Sequence, residues 1–142
     1  MISYFDTSLL VKLYVQERDS NIAWVMANST GVEAIISWLS EAEMAAAMAA
    51  RFVRSSVVPQ LDLAYAAFLR EVSRGIFRVV AVDRSVFDLA RSLGERYGGV
   101  LGVRALDVLH VAAAMRAGAE AFGTFDDRQG KLAKAVGMGP LG

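Results

Sequence analysis

Four carboxylates stand where a carboxylate can do more than solvate a surface: Asp6, Glu43, Asp107 and Asp126. Asp6 directly follows the apolar run Ile2 to Phe5 and precedes Thr7-Ser8, where a helical pattern of Leu9, Leu10, Leu13 and Tyr14 begins. That is a strand-to-helix junction. In a parallel α/β sheet such a junction lies at the carboxyl end of a strand, where these folds place their ligands. Glu43 and Asp107 each fall early in a predicted helix, and Asp126 falls just after the apolar run Ala121 to Phe125. Four converging carboxylates would call for a divalent cation, and hard oxygen donors suit Mg²⁺ or Mn²⁺. Without the ion they would repel one another and raise at least one pKa.

The elements that must position these residues alternate between two periodicities. Ile2 to Phe5 reads as a strand, followed by helices over about Ser8 to Val15 and Asn21 to Ala27. Glu33 to Ser37 is a short strand, and the alanine-rich stretch from Ser40 to about Val53 is helical, with Ser40 and Glu43 in the S-x-x-E form of a capping box. Pro59 suits the first turn of a helix running to Ser73, which Gly75 closes. Phe77 to Val82 is a strand whose valines predict burial on both faces. Asp83 or Ser85 caps a helix to about Tyr97, which Gly98-Gly99 breaks. A helix over Arg104 to Ala117 ends at Gly118, Ala121 to Phe125 is a strand, and Asp127 to Val136 is the last helix. The tail Gly137 to Gly142 has little strand character. Strands alternating with helices imply parallel pairing and an α/β/α sandwich, with the strand order left open.

With 142 residues, the chain fits one domain spanning 1–142. Its hydrophobic fraction of 55% is high, yet no apolar stretch approaches the ~20 residues a membrane helix needs. The surplus is read as core plus a subunit interface. No basic, apolar leader opens the sequence, and the absence of cysteine fits a reducing compartment, so a cytoplasmic protein is expected. Fifteen Lys+Arg balance fifteen Asp+Glu, which excludes a global basic field for polyanions. Any nucleic-acid contact must be local, at Arg51 and Arg54, at Arg70, Arg74 and Arg78, or at Arg128, Lys131 and Lys134; the plainer reading of each group is a solvated helix face.

Tyr4 to Tyr14 (YFDTSLLVKLY), Ser40 to Glu43 (SEAE), Arg104 to Ala114 (RALDVLHVAAA) and Thr124-Phe125-Asp126 resemble the successive motifs of PIN-domain ribonucleases, most closely the VapC-type toxins of toxin-antitoxin pairs. The resemblance covers essentially the whole chain in order. It implies a PIN-like three-layer α/β/α fold with a central parallel sheet and a Mg²⁺- or Mn²⁺-dependent endoribonuclease site. Matched by position, Asp6, Glu43, Asp107 and Asp126 are the family's four acids. It further implies a cognate antitoxin, a homodimer and structured RNA, often tRNA, as partners. Phosphodiester hydrolysis needs an activated water and charge stabilisation on the phosphoryl and leaving oxygens, and bound metal supplies both.

Each residue also has an ordinary structural reading. Asp6 can be the N-cap of the helix behind it. Glu43 competes between capping-box duty with Ser40 and a ligand role, and Glu41 is the rival ligand, pointing elsewhere because residues two apart on a helix diverge. Asp107 lies among Leu106, Val108, Leu109 and Val111, where an unpartnered charge is costly. His110, one turn on, is read as packing beside the site rather than as a ligand. Of Asp126 and Asp127, the second is read as the helix cap. Thr7, Ser8 and Thr124 can orient metal-bound waters or cap chain ends, and Arg104 and Arg128 can meet phosphate or pair with nearby carboxylates. Trp24, Trp38 and Met44 read as core or dimer interface. The competing functions are a catalytically silent PIN-like binding module, a PIN nuclease of RNA processing without an antitoxin, and an aspartyl-phosphate enzyme. The last would want a second Asp where Ser8 stands.

Overall fold

The computed structural model describes residues 1–54 and 58–141. Its centre is β1 (Ile2–Phe5), flanked by β2 (Glu33–Ser37) and β4 (Ala121–Gly123); β3 (Arg78–Val80) and β5 (Gly139–Pro140) form the edges. All pairings are parallel, in the order β3-β2-β1-β4-β5. Successive strand residues point to opposite faces, and each face meets its own helical layer. Tyr4, Ile35 and Phe122 pack with Val86, Leu93, Val111 and Leu132, which lie on α5 (Arg84–Leu101), α6 (Ala105–Arg116) and α7 (Asp127–Ala135). Phe5, Ile36 and Ala121 pack with Leu9, Ala23, Met44 and Phe68 of α1 (Thr7–Tyr14), α2 (Ser20–Ala27), α3 (Trp38–Arg54) and α4 (Val58–Ser73). The result is the expected α/β/α sandwich.

The strand order fixes where a site belongs. The chain moves outward from β1 through β2 to β3, then crosses back to β4 on the other side of β1. Direction therefore reverses between β1 and β4, and a crevice opens beyond the carboxyl ends of those strands. Asp6 follows β1 and Thr124 follows β4, so both stand at its mouth.

Several local expectations change. Helix α3 starts at Trp38, two residues before the expected start, because Ser37 and Ser40 form the capping box: Leu39 N–H donates to Ser37 Oγ (3.2 Å) and Ser37 N–H to Ser40 Oγ (3.1 Å). Glu43 is thereby released from capping. Helix α5 runs through Gly98-Gly99 and stops at Gly102, whose φ of +65° is the left-handed conformation that ends helices. Strand β3 is shorter than expected, and its valines are only half-buried because it is an edge. The tail does pair, Ala121 with Gly139 and Phe122 with Pro140. Buried Met138 and Leu141 anchor it, one in each core, and proline is tolerated on an edge strand. Among the described residues no helix is long and apolar enough to cross a membrane.

Candidate active site

Asp6 is 4% exposed and heavily bonded. Its Oδ1 accepts from Ser8 Oγ (2.7 Å) and Leu9 N–H (3.1 Å), and its Oδ2 accepts from Thr124 Oγ1 (2.7 Å). It is thus the N-cap of α1 at the carboxyl end of β1. Burial pushes its pKa up, and the Ser8, Thr124 and Leu9 donors oppose that only in part. The two hydroxyls are themselves held, since Phe125 N–H donates to Ser8 Oγ (2.8 Å) and Asp126 N–H to Thr124 Oγ1 (2.9 Å).

Glu43 reaches the same end of the sheet from α3. Its Oε1 accepts from Thr7 Oγ1 (2.7 Å), the residue after Asp6, and also meets His110 Nε2. Burial raises the Glu43 pKa, but the hydrogen bonds from His110 and Thr7 outweigh it and hold the carboxyl below its usual range. Behind His110, Nδ1 lies 2.7 Å from Tyr4 Oη, and Tyr4 Oη lies 2.8 Å from Ser37 Oγ. Tyr4 and Ser37 are fully buried. The sequence reading missed both; the available signal was a tyrosine inside a buried strand, whose hydroxyl must find a partner.

Asp107 and Asp126 are spent differently. Asp107 Oδ2 accepts from Arg104 N–H (2.9 Å) at the start of α6, and Asp126 Oδ1 accepts from Gln129 N–H (2.9 Å) at the start of α7. Asp126, not Asp127, is therefore the cap of α7, because its extended backbone aims the side chain at the first turn. Both acids line a cleft of about 370 Å³ with Arg104, Asp127 and Arg128. A larger groove of about 830 Å³ shares Asp126 and Asp127 and adds Thr124, Lys131 and Lys134.

Among the described residues, no three acids or histidines stand close enough to hold an ion together. The expected closed cluster of Asp6, Glu43, Asp107 and Asp126 is not preformed. Asp107 and Asp126 take backbone partners instead. The donor chemistry nonetheless fits a hard divalent cation. Glu43 Oε2, Asp107 Oδ1 and Asp126 Oδ2 make no hydrogen bond among the described residues, so each acid is anchored by one oxygen and offers the other.

The family model for the PIN domain matches residues 3–135. The chain belongs to the PIN domain family. Solved structures similar to it include FitAcB from Neisseria gonorrhoeae (TM-score 0.70, 16% identity, 100% of this chain and 97% of that one). VapBC-1 from nontypeable Haemophilus influenzae is similar at TM-score 0.64 and 15% identity, over 99% and 98% of the two chains. VapBC2 from Rickettsia felis, bound to a DNA fragment from its promoter, matches at TM-score 0.61 and 18% identity over 89% and 88%. At these identities the likeness shows the fold. No curated protein matches the sequence significantly.

Proposed function

We propose that this PIN domain, taken as one domain over 1–142, is a Mg²⁺- or Mn²⁺-dependent endoribonuclease and the toxin of a toxin-antitoxin pair. The observation that carries the reading is Asp6: a buried carboxylate at the β1/β4 reversal, held by two hydroxyls and a backbone amide, with Glu43 one residue's reach away through Thr7. A buried carboxylate with a raised pKa is costly to a fold and is concentrated at functional sites.

Asp6, Glu43, Asp107 and Asp126 would hold the cation, with Asp107 and Asp126 turning their free oxygens inward. When bound, the ion supplies an acidified water and offsets charge on the phosphoryl oxygens. The chain's own residues do the rest. Thr7, Ser8 and Thr124 hold Asp6 and Glu43 in place. Arg104 and Arg128, at the cleft, suit a phosphate in bidentate fashion, and Lys131 and Lys134 extend a basic track along the adjoining groove. RNA, tRNA included, is the substrate. A cognate antitoxin, a second copy of this chain and a cytoplasmic setting complete the proposal, supported by the fold shared with the VapBC and FitAcB complexes.

The test is cleavage of cellular RNA by the purified protein with and without Mg²⁺, EDTA and the Asp6→Asn change, followed by sequencing of the new RNA ends. Cleavage that needs metal and disappears in Asp6→Asn supports the reading; cleavage at the parent rate by Asp6→Asn refutes it. The capping duty of Asp107 and Asp126 favours one rival, a catalytically silent binding module. That rival requires that Mg²⁺ leave the melting temperature unchanged.

A further inference from the structure

We propose that His110 is a positioning residue that fixes Glu43 from the opposite helical layer, and that buried Tyr4 and Ser37 set the tautomer with which it does so. The proposal rests on the cation-dependent reading above and deepens it. Glu43 belongs to α3, in the α1–α4 layer, whereas His110 belongs to α6, in the other. The imidazole, 1% exposed, spans the end of the sheet to meet Glu43 Oε1, which Thr7 Oγ1 holds from the near side. One oxygen is thus pinned from both layers, and Oε2 is the one left to offer.

The hydrogens can be assigned from the network. Leu39 N–H donates to Ser37 Oγ. In the neutral ring the proton stands on Nε2, facing the Glu43 carboxylate, which leaves Nδ1 to accept from Tyr4 Oη and Tyr4 Oη to accept from Ser37 Oγ. The reverse orientation of a neutral ring would set a bare nitrogen lone pair against a carboxylate oxygen, which is repulsive. The Tyr4 ring is clamped in turn by stacking on Phe122 at 5.3 Å, and it meets the His110 ring edge-on at 5.7 Å. A hydrogen-bonded carboxylate of fixed rotamer needs no reordering when a cation arrives.

His110 is the only histidine of the chain, so its ring nitrogens are assigned without ambiguity in a ¹⁵N spectrum. The experiment measures Mn²⁺ affinity by EPR of the free ion in the parent, Asp6→Asn, His110→Ala, His110→Gln and Tyr4→Phe proteins, with folding checked by circular dichroism. The parent and Asp6→Asn decide the underlying reading: if Asp6→Asn binds Mn²⁺ as the parent does, the site itself is misassigned. Given a working site, His110→Ala is expected to bind Mn²⁺ about 10- to 100-fold more weakly, the range seen for outer partners of metal ligands. His110→Gln, which keeps a donor at the Nε2 position, is expected to recover most of that loss. RNA cleavage by His110→Ala should show the defect in kcat with KM little changed. Parent-like Mn²⁺ affinity in His110→Ala, or a loss in His110→Gln as large as in His110→Ala, would overturn the proposal. Should His110→Ala not fold, the parent ¹⁵N spectrum decides: a proton on Nε2 that loses its fixed position in Tyr4→Phe supports the chain, and an Nε2 without a proton refutes it.

Discussion

Asp6 caps a helix and carries a buried charge, and the two duties have opposite energetic signs. Its capping bond to Leu9 stabilises α1, while burial penalises the ionised form. The linkage follows from the direction of the shift. Because the folded-state pKa lies above the unfolded one, Asp6 costs stability as pH rises from the unfolded value through the folded value. Glu43 has the contrary sign: its lowered pKa contributes stability that is lost as pH falls through the folded value. Asparagine caps helices as well as aspartate does, so Asp6→Asn removes the penalty and keeps the cap. The melting temperature of Asp6→Asn minus that of the parent should therefore grow from mildly acidic to neutral pH without metal; a difference that shrinks over that range would contradict the burial account. Mg²⁺ should raise the parent's melting temperature and leave that of Asp6→Asn nearly unchanged. Much of this was legible beforehand. Asp6 was readable because its type and its strand-to-helix position coincide. The tie from Tyr4 through His110 to Glu43 was not, since those residues are 106 and 67 positions apart and no local pattern links them.

The elements show where propensity misleads. Gly98-Gly99 reads as a break, yet α5 continues because its Leu89, Leu93, Tyr97 and Leu101 all pack on one core, and tertiary burial outweighs the local cost of glycine. A methyl group at Gly98 or Gly99 would meet nothing within 4 Å, whereas Gly102 holds a positive φ. Gly98→Ala and Gly99→Ala should each stabilise the protein by about 0.5–1 kcal/mol, and Gly102→Ala should destabilise it by about 1 kcal/mol or more. Urea unfolding reads both signs; a stabilising Gly102→Ala would place the helix end elsewhere. Gly123 is constrained differently, because an added Cβ would lie 2.6 Å from Leu9 Cδ2 and 2.8 Å from Leu141 Cδ2. Both leucines are buried, so Gly123→Ala should cost about 1–3 kcal/mol by overpacking. Strand β5 escaped the sequence reading for a related reason. What holds it is not its glycine and proline but Met138 and Leu141 on either side, gripped by different cores.

At the scale of the whole molecule, charge balance and local function are reconciled by position. The chain is formally neutral, yet Arg104, Arg128, Lys131 and Lys134 gather along the clefts that Asp107, Asp126 and Asp127 line. Reversing Lys131 and Lys134 to glutamate should weaken RNA binding, most strongly at low salt, and flatten its salt dependence. Unchanged salt dependence would move the RNA path to another face. The order of the strands, which periodicity could not supply, is what sets Asp6 after β1 beside Thr124 after β4. The direct measurement is an anomalous difference map from crystals soaked in Mn²⁺. The account expects a peak in the crevice beyond β1 and β4, with an Asp6 oxygen and Glu43 Oε2 at about 2.0–2.3 Å, in the range of hard-cation bonds. Mn²⁺ bound at a site that excludes both carboxylates, or no peak at saturating Mn²⁺, would contradict it.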